Sequence, residues 1–560
     1  MSQPASRIDE ITDRLWARLL ELQPTMMTVY NPGDPAFDSR LDDVGSVGRT
    51  AVNDAFEVAA LACEAVPGTE LSLEDRITRD IVRTLADLAL EGEQLGIHEL
   101  RAVNHIDGPQ TVLAQLTRFQ PSDTPEGLEA WLARLTAYGA FVDQHIDLMR
   151  EGIASGRTPA RIVAEQTLSQ LEGILATPLE QDAVVTMSRV ASEADRARVS
   201  EVVRDVVRPA DSRYLAALRD ECLPASREQP GLSSAPGGVE LYRYSTRQWT
   251  SLDISPADVH QVGLDELAAI DEERRAIAQA AGFGDDVDGF RASLAADPRY
   301  QPASPEALVA RATAQITRAL AVAPTVFGRL PRAGCEVLPV EAFKEKVAPF
   351  AYYFPPDVSG ARPGTYYVNT YDLPSRSYFK LASTTYHEAA PGHHFQIALE
   401  MEHPGLNTFR RLGARMVAGA YVEGWGLYSE RLADELGLYE DEAERLGMLD
   451  AQAWRASRLI VDSGMHGLGW SRQRSIDWLL KTGLSMTDAV IETDRYISWP
   501  GQALTYMLGM REIRRLRREL EARDGAAFDL RRFHDEVIGH GSLPLATLAR
   551  ELPSWVTPAG

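Results

Sequence analysis

Apolar residues recur at steps of three and four along most of the chain, and this spacing predicts a mainly helical protein. Ile8, Ile11, Leu15, Leu19 and Leu22 share one face of a first helix. Ser72 opens S-L-E-D, a capping-box-like start, and Ile77, Ile81, Leu85 and Leu88 carry the apolar stripe onward. From Thr124-Pro125 a longer amphipathic run passes through Leu128, Trp131, Leu135, Tyr138, Val142, Ile146 and Met149. Further helical stretches are expected over 158–176 and 182–221. Ser255-Pro256 and Ser304-Pro305 each join an N-cap to a first-turn proline, the first opening a helix that reaches about Ala281. The period then changes. CEVLPV, AYYFPP and GTYYVNT, between 335 and 370, read as short strands separated by proline and glycine. After Ser377 the helical pattern returns almost to the end.

Residues 223–238 are rich in Pro, Gly and Ser and carry no period. They mark a candidate boundary between an N-terminal helical lobe, 1–225, and a second lobe, 226–560, or else a long surface loop within one body. With 44% hydrophobic residues over 560 positions, the chain can bury a large core, which excludes disorder and small disulfide-stapled scaffolds. A net charge of −24 repels phosphate backbones, so nucleic acid is not an expected partner. The basic stretch at 511–519 backs onto Ile513, Leu516 and Leu520 and reads as a solvated helix face. Cys63, Cys222 and Cys335 are odd in number and far apart, and are expected as free thiols. The N-terminus alternates apolar and charged residues, and no apolar run approaches about 18 residues, so neither a signal peptide nor a membrane span is expected. The expected location is the cytoplasm.

Candidate chemistry is concentrated in His387-Glu388-Ala-Ala-Pro391-Gly392-His393-His394. Neutral imidazoles are good zinc ligands, and a glutamate beside one suits activation of a metal-bound water. The second histidine of HExxH belongs four residues on, where Pro391 stands. His393, six residues on, would point about 120° away on an ideal helix. Proline and glycine in between are expected to bend the helix and return His393 to the metal, giving HExxH with two residues inserted. His394 is the alternative ligand, or a donor to substrate. The competing reading is a helix kink with three satisfied histidines. A third ligand is expected from YVEGWGLYSE, where Glu423 and Glu430 are seven apart and so share a helix face. Glu423 is the first choice, with Glu430 as its supporting partner or substitute.

YHEAAPGHHFQ, EGWGLYSE, the Asp462–Trp470 segment DSGMHGLGW and ETDRYISWPGQALTYMLG occur in that order, with ARPGTYYVNT before them and FHDEVIGHGSLPL after. Together they resemble the bacterial "domain of unknown function 885" proteins, which are grouped with helical zinc peptidases of the gluzincin type. The resemblance implies a large two-lobed helical fold around a deep channel, with a small β-sheet next to the HE-motif helix. It implies one Zn2+ per chain held by His387, His393 and Glu423, with Glu388 as general base. Such peptidases place an edge strand along the bound peptide just before the motif helix. GTYYVNT stands there, so Tyr367 and Asn369, with His394, are the implied substrate-binding residues. The GQALTYMLG segment is similar to the Tyr-rich helix of thimet-oligopeptidase-like enzymes. On that comparison Tyr506 is the first candidate to stabilise the oxyanion, followed by Tyr496 and His466.

The function expected from these residues is hydrolysis of amide bonds in short peptides, in the manner of an oligopeptidase or carboxypeptidase. The alternatives are a zinc hydrolase of small-molecule amides or esters, and a non-catalytic helical binding protein with a structural histidine cluster.

Overall fold

Serines open four of the helices, three of them (Ser72, Ser255 and Ser304) as the sequence predicts. Ser6, Ser72, Ser255 and Ser304 each accept a hydrogen bond from the backbone amide three residues on. At Ser6 and Ser72 the aspartate of that third residue reciprocates to complete a capping box. Each such cap contributes about 1 kcal/mol. The computed structural model of the protein describes residues 6–30, 32–341, 345, 348–357 and 362–556. The first five residues of the N-terminus and Ala361 of the ARPGTYYVNT motif lie outside them.

The chain divides into two compact units, the first made of Met1–Tyr244, Met465–Arg472 and Ile491–Pro500. Its core surrounds the Pro125–Ser155 helix, which buries Leu128, Trp131, Leu135, Tyr138, Val142 and Met149. Downstream, an almost continuous helix from Glu193 to Ala225 passes two π-turns, Val203–Val207 and Leu218–Cys222. Each ends just before a proline, Pro209 or Pro224, whose missing N–H breaks the regular ladder. The Pro/Gly-rich stretch at 223–238 is tied into this unit. Arg227 Nε donates to the Thr158 carbonyl at 2.7 Å, and the Leu232 amide donates to His466 Nδ1 at 3.1 Å. The unit therefore continues past 225 to Tyr244, whose hydroxyl donates to the Leu88 carbonyl.

The second unit comprises Ser245–Gly464, Gln473–Val490 and Gly501–Gly560. It holds a small sheet of β1 (Cys335–Pro339), β2 (Ala351–Phe354) and β3 (Gly364–Val368), and five helices that carry the candidate site. These are α1 (Tyr378–Glu388), α2 (His393–Glu402), α3 (Gly419–Glu435), α4 (Glu442–Leu468, its last turn in the first unit) and α5 (Thr505–Asp524). Strand order is β1-β3-β2, with β3 parallel to β1 and antiparallel to β2. This corrects the expectation for GTYYVNT. The strand is central, both of its sides are already paired, and its backbone has no free edge to offer a peptide. Thr385 of α1 reaches the hydroxyl of buried Tyr366 on β3, which seats the sheet beside the motif helix.

Helices α3 and α5 cross at Gly424 and Gly509. A Cβ on Gly424 would lie 2.4 Å from the Gly509 Cα, and one on Gly509 would lie 1.9 Å from the Ala420 carbonyl oxygen. Only the bare backbones fit. No helix among the described residues is long and apolar enough to cross a membrane, and the three cysteines are unpaired.

Candidate metal centre

Helix α1 ends at Glu388. Ala389 leaves helical geometry at φ −103° and ψ −112°, and Pro391, reached through a cis peptide, has no amide to continue the ladder. Gly392 then folds back so tightly that a Cβ there would sit 1.9 Å from the His387 carbonyl oxygen. Trp425 Nε1 and Ser429 Oγ of α3 donate to the Pro391 carbonyl at 3.1 and 3.4 Å and pin the turn. The expected bend is thus a full break, and α2 begins at His393.

The break returns His393 to His387. Their ring centroids are 4.8 Å apart at 85°, and donor atoms of His387, Glu388 and His393 lie within 4.8 Å of one another. Glu423 of α3 meets both imidazoles through a single oxygen. Its Oε2 is 3.4 Å from His387 Nε2 and 3.5 Å from His393 Nε2. On the far side of the ring, His387 Nδ1 lies 2.9 Å from Glu430 Oε1, and Ser383 Oγ donates to Glu430 Oε2 at 3.0 Å. Glu430 is fully buried. Its oxygen accepts from Nδ1 and turns Nε2 toward Glu423.

Nε2 and the Glu423 carboxylate face each other only with a positive charge between them, a ring proton or a metal ion. Burial works against a charged His387, yet Glu423 and Glu430 outweigh it and raise the ring's pKa to about 9. Burial likewise opposes ionisation of Glu423, but the two imidazoles hold its carboxyl well below the usual range. Glu388 is raised by burial, with His393 and His387 pulling it partly back. The donor set, two imidazole nitrogens and a carboxylate oxygen, suits zinc. Ligand atoms about 2.0–2.1 Å from a tetrahedral zinc stand roughly 3.4 Å from one another, the spacing of Glu423 Oε2 from each Nε2. Glu388 and Glu423 are half-buried, while His387 and His393 are buried.

The close crossing of α3 and α5 brings Tyr506 alongside. Its ring is 6.1 Å from that of His387 and nearly parallel to it, at 29°. The remaining predicted residues are placed elsewhere. His394 is buried with Nε2 directed to the Ala333 carbonyl and Nδ1 to the Tyr353 hydroxyl, and burial lowers its pKa to about 4. Asn369 spends its amide on the carbonyls of Glu345, Ala348 and Pro349, clipping the chain before β2. The Tyr367 ring stacks on Tyr352 across the sheet. His466 and Tyr496 belong to the first unit. There His466 accepts from the Leu232 amide and bonds the Tyr496 carbonyl, while the Tyr496 hydroxyl donates to Glu492.

Two residues not singled out in the sequence flank Tyr506, namely Arg455 and Arg458 of α4, and both also stack on Trp454. Two arginines three apart, set between the buried Ala453, Ala456, Leu459 and Ile460, were the available signal.

The family described as "Bacterial protein of unknown function (DUF885)" matches residues 24–552. A candidate lipoprotein from Colwellia psychrerythraea has a similar crystal structure, with 28% identity and a TM-score of 0.88 over 99% of this chain and 100% of that one. A candidate lipoprotein of unknown function from Shewanella oneidensis shares the fold at 18% identity, with a TM-score of 0.77 over 98% and 100% of the two chains. No curated protein matches the chain.

Proposed function

The chain belongs to the DUF885 family of bacterial proteins, and from that premise we propose that it is a zinc-dependent hydrolase of amide bonds in short peptides, related to the gluzincin peptidases. One observation carries the reading: two imidazole nitrogens approach the same Glu423 oxygen at the separations of a tetrahedral ligand set, with Glu388 beside them. His387 and His393 would hold the ion through Nε2, and Glu423 through Oε2. Bound there, zinc supplies Lewis acidity that polarises a carbonyl and brings the pKa of water toward about 7.

The chain's own residues divide the rest of the work. Glu430 and Ser383 fix the His387 tautomer. Glu388, whose pKa burial raises, accepts a proton from the attacking water on its carboxylate and hands it to the leaving amine. Water is thereby split across the amide, giving a carboxylic acid and a free amine. Tyr506 is the candidate donor to the oxyanion, since its ring lies against the metal-side histidine. Three protein ligands and a half-exposed base favour a catalytic site over a closed structural one. We place the protein in the cytoplasm on its three unpaired thiols. The structural neighbours are named as lipoproteins, and cell fractionation decides between these compartments.

Metal analysis of the purified protein, with turnover of a peptide panel and of small acyl amides by wild type and Glu388→Gln, tests the reading. The expected result is about one zinc per chain in both proteins, peptide turnover in the wild type, and a loss of roughly a thousandfold in the variant. Peptide hydrolysis by metal-free protein would overturn it, and turnover of acyl amides alone would change the substrate class.

A further inference from the structure

Helix α4 brings two arginines to the edge of the candidate centre. The guanidinium carbon of Arg455 lies 4.8 Å from the ring centre of Trp454 and 5.8 Å from that of Tyr506. That of Arg458 lies 4.2 and 4.6 Å from the same two rings. Spaced three apart, they project from one face of the helix. Arg455 donates to the Ala451 carbonyl of its own helix at 3.2 Å and makes no ion pair with a carboxylate among the described residues. Its Nε is buried without a hydrogen-bond partner.

Arg455 feels the charge of Glu388, whose pKa it helps to lower, but no carboxylate among the described residues hydrogen-bonds it, and a partly buried guanidinium held that way is costly to keep. Stacking on Trp454 and Tyr506 fixes the guanidinium; its Nη1 already donates to Ala451, which leaves Nη2 and the second Nη1 proton as the available fork. That fork matches a carboxylate through two parallel hydrogen bonds. Tyr506 also lies 6.1 Å from His387, so one ring neighbours both the arginines and a histidine assigned to zinc. The cluster is thus within about three residues of extended chain, at roughly 3.5 Å each, from His387.

We propose that Arg455, assisted by Arg458, seats the free α-carboxylate of a peptide, so that the protein removes short pieces from C-termini and does not cut internally. This rests on the zinc hydrolase reading for the reaction but not for the binding. Neither arginine touches the reacting atoms; both are specificity residues.

The test compares mixed N-acetylated tetrapeptides as free acids and as C-terminal amides, on the full-length zinc-loaded protein. Wild type is expected to turn over the acids with a kcat/KM roughly 30-fold above that of the amides. Arg455→Ala is expected to bring the acid-to-amide ratio of kcat/KM toward about one, chiefly by raising KM for the acids. Arg455→Lys, which keeps the charge and loses the fork, should fall between. Equal turnover of acids and amides by wild type overturns the subsite and leaves the hydrolase reading standing. An equal loss on both substrates in a folded Arg455→Ala also overturns it, since a packing role predicts that. Should Arg455→Ala not fold, the wild-type comparison decides alone. Should nothing be hydrolysed, isothermal titration of the same peptides into Glu388→Gln decides. Tighter binding of acids than amides sustains the subsite, and equal binding overturns it.

Discussion

Gly426 lies directly against the imidazole of His387. A Cβ at position 426 would stand 2.6 Å from Nε2, 2.7 Å from Cε1 and 3.0 Å from Cδ2. Alanine normally improves on glycine inside a helix by roughly 0.8–1 kcal/mol. Here the added methyl would meet the nitrogen assigned to zinc, so Gly426→Ala is expected to weaken zinc binding at least about tenfold, as loss of a group that orients a ligand does. Gly173 is the counterpart, an exposed position in the Arg161–Ala176 helix with nothing within 4 Å of its Cβ site. Gly173→Ala should raise stability by about 0.5–1 kcal/mol and leave zinc untouched. Chelator competition and denaturant unfolding on both variants check the pair, and equal zinc affinity in the two would remove His387 from the ligand set.

Glu430 is expected to act on zinc through His387 and not by contact. Gln at 430 keeps the shape but removes the charge that holds the Nδ1 proton, 2.9 Å away. Glu430→Gln should lower zinc affinity by about 10–100-fold, as loss of such a supporting carboxylate does elsewhere. Ser383→Ala, which removes one donor to Glu430, should cost less. Chelator competition again provides the measurement, and unchanged affinity in Glu430→Gln would show that the tautomer does not matter.

Gly509 holds the site together from a distance. Its α-carbon meets the backbone of α3, and a Cβ would strike the Ala420 carbonyl at 1.9 Å. Because that obstacle is backbone, Gly509→Ala must part α3 from α5, at a cost of roughly 3 kcal/mol for overpacking. Glu423 and Tyr506 sit on these two helices, so turnover should fall along with the unfolding temperature. A variant of full stability would show that the helices have room to separate.

How far the sequence could be read depended on the kind of interaction. Local rules sufficed for the helices, because Ser72, Ser255 and Ser304 cap their own amides three residues on. Pro391-Gly392 likewise announced a bend after Glu388, though not that the helix would stop there. Closure of that break rests on Trp425 and Ser429, more than thirty residues away, and spacing does not reveal such a partner. The seven-residue step from Glu423 to Glu430 put both on one helix face, but not which carboxylate met Nε2 and which met Nδ1. GTYYVNT read correctly as a strand. Its central place did not, since alternation describes one strand's faces and not its neighbours. His466 shows the same limit: a histidine that bonds two backbone groups has the same letter as a ligand.

Asp211 predicts how the first unit responds to pH. The carboxyl is 3% exposed, and the Tyr138 hydroxyl donates to its Oδ1 at 2.8 Å. Burial pushes its pKa up to about 7; the Tyr138 bond opposes this, the nearby Asp182 charge adds to it, and Arg208 pulls it back. In the unfolded chain an aspartate titrates near about 3.9. The folded state therefore binds this proton more tightly, so the group stabilises fully below about pH 4 and its contribution is lost as pH rises through 7. The difference is on the order of 4 kcal/mol between pH 4 and pH 8. Asp211→Asn keeps the shape and an acceptor for Tyr138 but cannot ionise. It should match wild type near pH 4 and exceed it at pH 8, as read by hydrogen-exchange protection of the Pro125–Ser155 helix. Subtracting variant from wild type cancels the titration of every other carboxylate. A gap that stays constant from pH 4 to pH 8 would mean that Asp211 does not take up its proton in this range.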